Sequence, residues 1–122
     1  MMRRDDEDQA APGSSEDAQT IIDTALFAVA RGASDARIDL LATESVHDQF
    51  LPKIRAALEK PDWHADWQRE KVYLLAYAEA LGRRAAMLAA EDGRTVITRQ
   101  DIDAAAIKMR GYMPIAGRWC PR

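Results

Sequence analysis

Cysteine is almost missing from this chain: Cys120 stands alone, so neither a disulfide framework nor an all-cysteine zinc site can form within one copy. Long apolar runs are missing as well, and no stretch approaches the roughly 20 residues that a membrane-spanning helix requires. The opening MMRRDDEDQAAPGSSEDAQT places no apolar block behind its two arginines, so neither a signal peptide nor an anchor is expected. Glycine-rich phosphate loops, nucleophile elbows and dinucleotide fingerprints are absent, which removes the common nucleotide-binding and hydrolase signatures. A surplus of positive charge is lacking too. With 17 Lys and Arg against 20 Asp and Glu, the surface as a whole is not a phosphate-neutralising field. Cytoplasmic residence is the expectation.

What is present is a 122-residue chain that is 48% apolar, enough for one buried core and too short for two. Its charge is uneven. Residues 1–20 carry two basic and six acidic side chains, whereas residues 83–122 carry eight basic and four acidic ones. Residues 1–13 show no repeating apolar face and read as a disordered acidic arm.

Ser14 and Asp17 have capping-box spacing, and Ile21, Ile22, Ala25, Leu26 and Val29 follow at helical intervals. A first helix is therefore expected over about residues 16–31, with Gly32 as its stop. A second is expected from Asp35 to Val46, with Ile38, Leu41, Ala42 and Val46 on one side. Pro52 removes a backbone donor and restricts Leu51, so a new short helix is expected to begin there and to end by Pro61. PDWHADW, residues 61–67, reads as a connection.

From Trp67 to about Asp92 there is no proline and a single glycine, Gly82. Leu74, Tyr77, Ala78, Leu81, Ala85 and Leu88 form one apolar face, widened by Val72, Leu75, Ala76, Ala86 and Met87. So broad a face over about 38 Å of helix demands a covering element or a partner chain. Gly93 suits a left-handed C-cap, and Arg94 to Thr98 suits a brief extended link. Thr98 and Asp101 then have capping-box spacing before Ile102, Ala105, Ala106 and Met109. The fold class is all-α.

The segments FLPKIRAALEK, WQREKVYLLAYAEALGRRAAMLAAEDG and GRTVITRQDIDAA together resemble the histone fold, in its archaeal and transcription-factor branches, over residues 50–110. The most specific piece is Gly93-Arg94 followed by Thr98, Asp101 and Ile102. The resemblance implies a helix, loop, long helix, loop, helix core with additional N-terminal helices over residues 14–49 and a tail over 111–122. It implies a clamp between Arg94 and Asp101, where a bidentate pair supplies both charge compensation and direction. It also implies a handshake dimer, of like or unlike chains, through Leu74, Tyr77, Leu81, Ala85 and Leu88.

In a DNA-binding reading, Lys53, Arg55, Arg69, Lys71, Arg94 and Arg99 are the candidate contacts to double-stranded DNA, reached through phosphates and without base readout. Weak, sequence-nonspecific binding or a place in a DNA-associated, nucleoid-like assembly follows. The loop PDWHADW holds two aspartates and departs from the basic loops of DNA-wrapping relatives. The other reading is a helical protein-interaction module or accessory subunit without DNA binding, using Trp63, Trp67 and Trp119 against a protein partner, because Asp62 and Asp66 would repel phosphate. His47, His64 and Cys120 lack metal-ligand or nucleophile–base spacing, so no catalytic residue, metal or cofactor is assigned and no enzyme is expected.

Overall fold

Ser14 accepts a hydrogen bond from the Asp17 amide at 3.1 Å, and the Asp17 carboxylate accepts from the Ser14 amide at 2.8 Å. This reciprocal cap starts α1, Ser15–Ala33, by satisfying donors that have no partner inside the helix. In the computed structural model, which describes residues 13–109, three further helices and two short strands follow: β1 (Arg37–Ile38), α2 (Leu40–Leu58), α3 (Trp63–Glu91), β2 (Val96–Ile97) and α4 (Arg99–Met109). The described chain is thus mainly helical, and one core draws on all four helices. No described helix is long and apolar enough to cross a membrane.

α1 covers α3. Their contact is closest at two glycines: a Cβ on Gly32 would fall 1.8 Å from the Glu79 carbonyl oxygen, and one on Gly82 would fall 1.9 Å from that of Val29. Only hydrogen at both positions lets the two backbones approach so closely. Gly32, expected as a helix stop, lies inside the last turn of α1, and the reversal comes two residues later at Ser34, φ 60°.

The helix expected from Asp35 to Val46 forms only from Leu40 onward, as the start of a longer one. Arg37 and Ile38 pair in parallel with Val96 and Ile97, and Asp39 then caps α2 by accepting from the Ala42 amide at 2.8 Å. A partner 59 residues away, invisible to local periodicity, decides the conformation of Ile38. The break expected at Pro52 is also absent, since α2 runs through it and residue 50 lies mid-helix. Ala42, Val46, Phe50, Ile54 and Leu58 keep one buried row across the proline. Burying Phe50 and Ile54 contributes roughly 1.5–3 kcal/mol each, together enough to offset the roughly 3 kcal/mol cost of an internal proline. Pro52 itself faces solvent.

α3 begins at Trp63 rather than Trp67, because Trp63 is buried one turn ahead of the expected start. At its other end Gly93 takes φ 74°, and the chain turns into β2. α4 is tied back to α2 by Ser45, which is buried and donates to Asp103 at 2.6 Å, while Gln49 donates to both Ser45 and Asp103. The segments 1–12 and 110–122, which include the expected arm, the tail and Trp119, lie outside the described residues.

Candidate functional site

The turn between α3 and α4 is organised by one guanidinium. Arg94 Nη1 and Nη2 donate to the two oxygens of Asp101 at 2.7 and 3.0 Å, Nη1 also donates to the Val96 carbonyl at 3.0 Å, and Nε donates to Asp92 at 2.9 Å. Asp101 accepts in addition from the Thr98 amide at 2.9 Å and the Thr98 hydroxyl at 3.1 Å. The Arg94 hydrogen bonds hold the Asp101 carboxyl below its ordinary range against the opposing effect of burial, and the same pair raises the Arg94 guanidinium. Four of the five donors of Arg94 are spent inside the fold, which leaves little for a phosphate.

Three of the other five candidate cations have partners within the chain. Arg69 pairs with the buried carboxylate of Asp66. Arg99 lies 3.8 Å from Asp103 on the same helix, and Lys71 donates to Gln68 at 3.3 Å. Lys53 and Arg55 are exposed on the second half of α2, two positions apart and so on different sides of that helix.

Leu74, Tyr77, Leu81 and Ala85 are buried within the single chain, with Leu88 half-buried beside them. The cover that so broad a face requires comes from α1 of the same chain, and the strand beside β2 comes from β1. Trp63 is buried and meets the His64 ring edge-on with centroids 5.2 Å apart, and Trp67 is half-buried against the core.

Periodicity misplaced a second set of residues. Val72, Ala76 and Met87, read from the sequence as widening the buried face, turn to solvent, and Tyr73 joins them. Val72 is 59% exposed, Met87 53% and Tyr73 41%. The available signal was the spacing of Tyr73 and Met87, fourteen residues and so nearly four turns apart, with Ala80 between them half-buried against the core. Phe27, Leu40, Leu41 and Ile107 are exposed on the other helices, and Arg31 sits over the Phe27 ring at 5.8 Å.

A groove of about 330 Å³ between α1, β1 and α2 is lined by Leu26, Val29, Ala30, Ser34, Ala36, Ile38, Thr43 and Val46, none of them titratable. Among the described residues no three His, Cys, Asp or Glu side chains are placed to hold a metal ion. His47 lies beside Asp48 at 3.6 Å on α2, and His64 packs on Trp63. The chain matches no family model, no curated protein and no solved structure.

Proposed function

We propose that this chain is a non-enzymatic helical protein-interaction module whose contact surface is the solvent side of α3. The observation that carries this reading is the exposure of Val72, Tyr73 and Met87 on one helix whose opposite side is already filled by α1. Apolar side chains repeated along an outward helix face are what partner surfaces use, and a folded domain gains nothing from showing them to water. The ion pairs that occupy Arg69, Arg94 and Arg99 support the same choice over a phosphate-binding face.

A photoreactive side chain in place of Tyr73 in the full chain tests it. A discrete adduct of fixed mass is expected there and not at Glu59, an exposed position just past the end of α2. Equal, diffuse labelling at both would end the reading.

A second reading is a histone-like dimer that contacts double-stranded DNA weakly. It is favoured by the arrangement of Arg94, Thr98 and Asp101 around β2 and by exposed Lys53 and Arg55. Anisotropy of labelled duplex DNA across a salt series decides it. Binding that weakens steeply with salt and is lost in Lys53→Glu with Arg55→Glu supports it, and no binding at low salt removes it.

A further inference from the structure

We infer that the occupant of the outer α3 face is a second copy of this chain, docked antiparallel through the same row of residues. This rests on the module reading above and names its partner. The row is Arg69, Tyr73, Ala80, Met87 and Glu91, and it is symmetric about Ala80: Tyr73 and Met87 lie seven residues to either side, Arg69 and Glu91 eleven. Seven and eleven residues are both close to whole numbers of helical turns, so all five side chains fall within about 40° of the helix circumference.

Turned end for end about Ala80, the row meets its own complement. Tyr73 of one copy comes opposite Met87 of the other, an aromatic ring against a thioether. Ala80, half-buried against the core of its own chain, meets Ala80 at the rim of that core, and so small a side chain at the centre does not hold the two helices apart. Arg69 comes opposite Glu91, at both ends at once, as a two-fold interface requires.

The charges favour this pairing independently of the apolar row. Glu91 sits in the last turn of α3, which contains no basic residue, where the helix dipole disfavours an anion. It makes no ion pair among the described residues, and an arginine from a second copy would relieve it. Arg69 remains 66% exposed, and its bond to Asp66 is made through Nη2. The face beneath is closed to a second copy because α1 already fills it.

Equilibrium sedimentation of the full chain provides the test. The wild type is expected to associate to twice the chain mass. Arg69→Glu and Glu91→Arg are each expected to weaken association about tenfold, and the double reversal to regain most of that loss. Glu91→Arg with Met87→Glu carries the test if Arg69→Glu disturbs the Asp66 pair and fails to fold. A single-chain mass at every concentration, or a double reversal no better than either single change, would overturn self-pairing. A Tyr73 adduct containing a different protein would overturn it too while leaving the module reading intact, and diffuse labelling would end both.

Discussion

Asp39 and Thr98 begin helices from equivalent places, each one residue past a two-residue strand, with the strands paired to each other. Asp39 works almost alone: one carboxylate oxygen accepts from the Ala42 amide. Thr98 works within a network, since its hydroxyl accepts weakly from the Asp101 amide at 3.4 Å, while Asp101 takes the Thr98 amide and the Arg94 guanidinium. The third residue after the cap accounts for the difference. Asp101 carries a carboxylate that accepts from Thr98 and Arg94, whereas its counterpart Ala42, equally buried, has no polar side chain to return a bond. The nearly buried Asp101 carboxylate must in turn be satisfied from within the fold, and Arg94 does so.

The comparison breaks most completely if α1 is pushed off α3. Gly82→Leu drives a side chain into the Val29 carbonyl, so a loss of at least about 3 kcal/mol is expected by urea denaturation. Asp101→Ala follows, at about 2–3 kcal/mol, because it removes the cap and leaves the Arg94 donors unpaired. Its effect has a pH signature. The native Asp101 carboxyl titrates below its unfolded value, so its contribution is complete above the ordinary carboxylate range, near pH 4, and disappears as pH falls through the native value. Thermal melts of wild type and Asp101→Ala should therefore converge in acid and stay apart at neutral pH.

Arg94→Ala is expected to lower the melting temperature by less than Asp101→Ala, because Asp101 keeps its bonds from Thr98. An unchanged melting temperature with intact helicity would show that the clamp contributes nothing. The smallest effect belongs to the simpler junction: Asp39→Ala should cost about 1 kcal/mol in urea denaturation. A loss as large as that of Asp101→Ala would mean that the Arg94–Asp101 network adds nothing beyond a simple cap.

The elements around Arg94 were legible because their signals are local. A glycine able to take φ 74°, an arginine, and a threonine three residues before an aspartate all lie within nine positions, and the bonds they make close within that span. The same holds for Ser14 and Asp17 at the start of α1. β1 was not legible, because Arg37 and Ile38 become extended only by pairing with a strand far along the chain. Nor was the course of α2 through Pro52, where two buried side chains override a local helix breaker. Val72 and Met87 were assigned to the wrong side because a helix apolar nearly all round gives periodicity no contrast with which to choose a buried face.

By itself the sequence determined the all-helical class, the caps at Ser14 and Thr98, and the inward row from Leu74 to Ala85, because propensity, capping and helical period act over a few residues. Only the tertiary structure decided what covers that row. The Gly32 and Gly82 approach brings α1 of the same chain onto α3, and close packing between distant segments is set by shape across the fold. That choice turns the opposite side of α3 outward, and with it the residues on which the proposed function rests.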